Sequence, residues 1–168
     1  MLVTVDRRTC SSDWLSVKSL SQAGTRAEII ARVHAVRPDT VARFGVMTAP
    51  EMIMHCVICL EAGLGLRSVS PAESFLGRTL IKPIALYAPM RWPPGVKTRP
   101  EMDVRRKGER PGEFMSDVAK LVQRVEEFGA RDGNLPWPRH PLFGAMNDSE
   151  WKRWAYLHTD HHLRQFSA

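Results

Sequence analysis

Three histidines and a glutamine crowd the last turns of this chain, in Trp154-Ala-Tyr-Leu-His158-Thr-Asp-His161-His162-Leu-Arg-Gln165-Phe166. His158 and His162 are four residues apart. On an α-helix such residues stand one above the other, which is how two imidazoles reach one metal ion. With His158 at zero and about 100° per residue, His162 falls near ~40°, Gln165 near ~−20°, Trp154 near ~−40° and Trp151 near ~20°. The stripe therefore mixes two imidazoles and an amide with two indoles. Trp residues are not left in water, so the stripe faces inward, and imidazoles carried inside need partners. A metal supplies one, and the remaining ring nitrogens then need acceptors of their own. His161 flanks the same stripe and competes with His158 as a ligand.

Two ligands from one helix leave a metal site underfilled. His55 is the best third, sitting among Met52, Cys59 and Leu66 on the apolar face of an upstream helix. Three neutral imidazoles leave a position open for water or substrate, the plan of a catalytic rather than a structural site. Cys56-Val-Ile-Cys59 has the C-x-x-C spacing of a redox pair. Such pairs take their low thiol pKa from a helix N-terminus, whereas this one lies inside a helix among apolar neighbours and reads as core. Cys59 is still one turn from His55 and could approach the metal. His34 and His140 are not expected to be ligands, although His140, between Arg139 and Pro141, could lie near the mouth of the site. No glycine-rich phosphate loop and no G-x-S-x-G elbow is present.

Four principal helices must position these groups. Thr25-Arg-Ala-Glu28 has the spacing of a capping box and predicts a first helix running to about Val36, ended by Pro38. A second box, Thr48-Ala-Pro-Glu51, opens the next, with Met52, His55, Cys59, Ala62 and Leu66 as one inward face. Glu73 to Tyr87 has the apolar content of a helix but is interrupted by Pro83. Pro89-Met-Arg-Trp-Pro-Pro-Gly95 is incompatible with a helix. Gly112 to Gly129 predicts a third long helix with Phe114, Val118, Leu121, Val122, Val125 and Phe128 as its buried stripe. After a second Pro/Trp loop, Asn147-Asp-Ser-Glu150 caps the helix that carries the histidines. The chain reads as one helical domain over 1–168, with an N-terminal arm at 1–24, where Trp14, Leu15, Val17 and Leu20 could lie against the core, and an insertion at 67–110. The expected class is all-α, a four-helix bundle.

With 168 residues and 43% hydrophobic content, the chain can bury a substantial core as one domain. No apolar run approaches the roughly 20 residues of a membrane span, so no membrane partner is expected. The charged start, Met-Leu-Val-Thr-Val-Asp-Arg-Arg, lacks the apolar stretch of a signal peptide, and the expected compartment is cytoplasmic. Three cysteines without framework spacing argue against structural disulfides. The net charge of +6 permits nucleic-acid contact. The basic residues are scattered, however, and the densest run, Arg105, Arg106, Lys107 and Arg110, reads as a solvated loop. Nucleic acid is therefore not an expected partner.

Three stretches together carry a family resemblance: Arg37-Pro-Asp-Thr-Val-Ala-Arg-Phe-Gly-Val-Met-Thr-Ala-Pro-Glu-Met-Ile-Met-His55, His140-Pro-Leu-Phe-Gly144, and His158-Thr-Asp-His-His162-Leu-Arg-Gln165-Phe166. In order and spacing, from about Ala31 to Phe166, the sequence resembles the DinB-like superfamily of four-helix-bundle metalloproteins, which includes thiol-dependent transferases and isomerases. The resemblance implies His55, His158 and His162 as metal ligands. It departs at Leu163-Arg164-Gln165, where many members have Arg-Gly-Gln, and in the long Pro/Trp insertion. Together the two readings predict a divalent-metal enzyme. Its ion would be nickel or zinc, with iron also compatible, because imidazoles separate these metals poorly. Gln165 would orient a ligand or the bound nucleophile, and no general base is identified. The substrate would be a small molecule such as a thiol, the reaction thiol transfer or hydrolysis, and the assembly a homodimer. The alternative is a non-catalytic metal-binding helical module.

Overall fold

The computed structural model describes residues 17–96 and 98–168. The expected contacts of Trp14 and Leu15 lie outside them. The described chain is all-helical: α1 (Ala23–Ala35), α2 (Ala49–Leu64), α3 (Lys82–Tyr87), α4 (Phe114–Ala130) and α5 (Asp148–Gln165). Among the described residues there is no strand, only an isolated bridge between His140 and Gly144. Helix α2 packs against α4 and α5, α1 packs against the same two helices, and α3 lies on α5. No helix among the described residues is long and apolar enough to cross a membrane.

Helix α2 is the centre of the molecule. Its start is fixed by the expected box: Glu51 N donates to Thr48 Oγ1 (3.4 Å) and Thr48 N donates to Glu51 Oε2 (2.8 Å). It ends at Gly65, whose φ of 81° is a left-handed conformation that favours glycine. Every residue from Met52 to Leu60 is buried. The expectation of a single inward face is thus corrected, because an all-round apolar helix is enclosed on every side. Leu66, placed on that face by the sequence, lies beyond the helix end and is exposed. Leu121, Val125 and Phe128 of α4 and Trp151, Trp154 and Leu163 of α5 are buried in the same core as α2, and Ile29 and Val33 of α1, which packs on α4 and α5, complete it.

The box predicted at Thr25-Glu28 does not form. Helix α1 already starts at Ala23, Thr25 donates instead to Gln22 Oε1 (2.8 Å), and Glu28 pairs with Lys18 (2.6 Å). The interrupted segment at Glu73–Tyr87 resolves into a wide π turn, Gly77–Ile81, leading into α3. Lys82 N reaches back five residues to Gly77 O. The wide turn precedes Pro83, which has no N–H for an α-helical bond and whose ring crowds the preceding turn. Helix α4 is capped by Glu113, whose carboxylate accepts from Met115 N and Ser116 N (2.9 and 2.6 Å). Asn147 and Glu150 form the reciprocal box that opens α5 (2.9 and 3.0 Å).

The 67–110 segment is tied down at several points. Arg105 of the basic run is exposed and pairs with Glu51 (2.7 Å). Arg139 pairs with Glu73 (2.6 Å), and Ala72 N donates to Pro141 O (2.8 Å). This anchoring places Trp92 and Met102 beside the histidines.

Candidate metal centre

His55 from the middle of α2 meets His158 and His162 from the last turns of α5. Their ring centres are 5.2 Å (His55–His158), 4.8 Å (His55–His162) and 4.7 Å (His158–His162) apart. All three rings are buried. An ion about 2.1 Å from one nitrogen of each ring would lie roughly 3.2 Å from each ring centre, and tetrahedral directions then set the centres about 5 Å apart. The observed triangle has that size.

The protonation pattern follows from the neighbours. His55 Nδ1 lies 2.9 Å from Met102 O. A carbonyl only accepts, so Nδ1 carries the proton and Nε2 the lone pair. Gln165 Nε2 donates to Phe44 O (2.7 Å), which turns Gln165 Oε1 towards His162 Nδ1 at 3.1 Å. His162 Nδ1 therefore donates and its Nε2 is the lone-pair nitrogen. Both rings show the arrangement of metal-binding histidines, with one nitrogen held by an acceptor and the other left for an ion. His158 stacks on Trp154 at 5.0 Å and 19°, and its Nδ1 is buried without a hydrogen-bond partner. An orphaned buried nitrogen is costly, and coordination through it would remove that cost. Burial, the largest cause in each case, lowers the pKa of His55 and drives those of His158 and His162 well below the ordinary value. All three rings are thus neutral at pH 7, the state a metal requires.

Cys59 joins the group from one turn along α2. Its Sγ lies 3.6 Å from His55 Nε2. One donor atom from each of His55, Cys59 and His158 falls within 4.8 Å of the others, so these three could hold a metal ion. His162 lies outside that tight set of donor atoms although its ring is as close to the other two rings as they are to each other. A thiol must lose its proton to bind a metal. Burial, with the Cys56 thiol beside it, pushes the Cys59 pKa well up. Cys56 is also buried and its pKa raised by burial, as core packing of the C-x-x-C implies.

His161 faces Phe44 (5.6 Å) and Trp92 (6.3 Å), and its ring is 5.1 Å from that of His162. His34 is exposed. His140 does not lie at a site mouth. It is buried behind Trp154 (5.1 Å), and its Nδ1 accepts from Leu142 N and Phe143 N (3.2 and 3.1 Å), folding the loop around itself. Three contributors were missed from the sequence. Met102 offers a main-chain oxygen, for which no side chain signals. Trp92, 6.4 Å from His158, was visible only as part of a Pro/Trp loop. Phe44-Gly45 supplies the carbonyl that orients Gln165.

Gly45 has φ 82°, and a Cβ there would collide with Gln165 Nε2. Gly45→Ala should therefore cost about 1–2 kcal/mol through backbone strain alone and push Gln165 off His162. Thermal melts together with the ring-proton NMR signal of His162 would check this. An unshifted His162 resonance in a destabilised variant would show that Gln165 does not depend on Gly45.

The profile of a family described as "Protein of unknown function (DUF1569)" matches residues 70–168, so the chain belongs to that family. The matched part carries His158 and His162 but not His55 or Cys59. No curated protein and no solved structure matches the chain.

Proposed function

We propose that this DUF1569 family member is a divalent-metal-dependent enzyme whose ion is held by His55, His158 and His162. The observation that carries the reading is the triangle of three buried, neutral imidazoles, two of them already held in the ligand tautomer by Met102 O and Gln165 Oε1. The same trio is what resemblance to the DinB-like superfamily implies, so a DinB-like bundle and that superfamily's thiol chemistry belong to the proposal. Nickel or zinc, with iron also compatible, suits three imidazoles. When bound, such an ion lowers the pKa of a water or thiol presented to it, so that either acts as a nucleophile near neutral pH. The chain's own residues do the rest. Met102 O and Gln165 fix two ring orientations, Trp154 fixes the plane of His158, and burial keeps all three rings unprotonated. Trp92 closes one side against bulk water. The reaction is thiol transfer or hydrolysis on a small molecule.

A second reading is favoured by the position of Cys59: a closed, non-catalytic site of His55, Cys59 and His158. The two separate in cobalt-loaded protein. Cys59→Ala should keep its cobalt affinity within about threefold, and His162→Ala should lose about a hundredfold. A thiolate-to-cobalt charge-transfer band in the wild type, with the opposite ranking of the variants, would replace the three-histidine reading by the closed site.

A further inference from the structure

Beside the histidines a cavity of about 680 Å³ opens, in the size range of small-ligand sites. Its walls come from three separate segments: Arg43 and Phe44 from the loop before α2, Arg91 and Trp92 from the Pro/Trp loop, and His161 and Arg164 from α5. No acidic side chain lines it. Arg164 is held by Asp160 (2.8 Å), which also holds Arg32 (2.7 Å). Arg32 also donates to the terminal oxygen of Ala168 (2.9 Å). Among the described residues no Asp or Glu side chain pairs with Arg43 or Arg91, so two guanidinium groups in the wall have no carboxylate side-chain partner. Guanidinium groups bind carboxylates and phosphates through paired N–H donors. The indole of Trp92 is fixed, because its Nε1 donates to Ala85 O (2.7 Å), and with Phe44 it gives the cavity aromatic faces. His161 Nδ1 is buried in the wall without a partner.

We propose that this cavity seats a small organic anion with a flat apolar body. Its carboxylate or phosphate lies on Arg43 and Arg91, and its body lies against Trp92 and Phe44. The assignment deepens the metal-enzyme reading, and rests on it only in making the occupant the substrate. Trp92 is 6.4 Å from His158 and His161 is 5.1 Å from His162, so a molecule seated here has one end at the wall shared with the three imidazoles.

Calorimetric titration of the full chain, stripped of metal and then zinc-loaded, tests this. The probes are benzoate, phenyl phosphate, benzyl alcohol and inorganic phosphate. One of the two aromatic anions should bind at least about tenfold more tightly than the neutral alcohol and the bare phosphate, and which one it is separates a carboxylate from a phosphate ligand. Arg43→Gln combined with Arg91→Gln should remove at least about tenfold of that affinity, with the circular-dichroism spectrum and zinc uptake unchanged. Equal binding of benzyl alcohol, or full affinity in the double variant, would overturn the proposal. So would displacement of the aromatic anion by an equimolar single-stranded oligonucleotide. Anion binding that needs zinc and ignores the arginines would place the anion on the ion, ending this inference and leaving the metal reading intact. Arginine-dependent binding in a protein that takes up no metal would support the cavity and end the metal reading.

Discussion

Replacing His158 with alanine should weaken metal binding by about a hundredfold or more, at or above the top of the 10–100-fold that loss of a ligand's supporting partner brings. His158, like His55, belongs to both alternative ligand sets, so its loss leaves at most two neighbouring nitrogens or a nitrogen and a thiol. The metal-free protein should still fold. Truncation removes a ring stacked on Trp154, which costs packing. It also removes a buried nitrogen without a partner, a burden of about 1–3 kcal/mol. The two partly offset, so helix content should be unchanged and the melting temperature only a few degrees lower. Competition titration against a chromogenic chelator, with circular dichroism on the same samples, reads both quantities. Wild-type affinity in the variant would remove His158 from the site.

Acid should destabilise the metal-free protein before any carboxylate titrates. The unfolded chain's histidines take protons near pH 6.5. In the fold, burial lowers the pKa of His55, drives those of His158 and His162 well down, and brings that of His140 to about 3. Below pH 6.5 the unfolded state therefore binds more protons than the native state, and stability falls as pH falls. The loss continues to about pH 3 for His140. Above 6.5 both states are neutral at these rings and the dependence vanishes. His140 alone should cost about 1.3 kcal/mol between pH 7 and 5.5, with His158 and His162 acting in the same direction. Against a total stability of about 5–15 kcal/mol this is a large share. Glu51 and Glu113, whose pKa values are lowered by Arg105 and by main-chain N–H donors respectively, act below this window. Urea unfolding of metal-free protein at pH 7.5, 6.5 and 5.5 measures the effect. A flat profile across those three values would mean that the rings are not held neutral.

Much of this arrangement could be read in the sequence because its signals are local. The boxes at Thr48–Glu51 and Asn147–Glu150 and the stripe of α4 each depend on residues within a few turns. His162 and Gln165, three residues apart on one helical face, do meet at 3.1 Å. His158, His162 and His55 stood out because imidazoles on apolar faces demand partners. The Thr25–Glu28 spacing misled for a physical reason: the same four-residue pattern arises inside a helix whenever the chain can begin earlier. The π turn before Pro83 depends on how one proline is accommodated, which residue types do not encode. Met102 and Phe44 act through carbonyl oxygens that every residue owns. Arg43 and Arg91 lie in loops without periodicity, so only the folded chain shows them sharing a wall.

The central claim, one ion held by histidines of α2 and α5, is tested most directly by elemental analysis of protein purified without a histidine tag. The account predicts close to one nickel, zinc or iron ion per chain in the wild type and none in His158→Ala. A wild-type protein carrying only a trace of metal after dialysis against zinc and nickel, or the same content in both proteins, would contradict it.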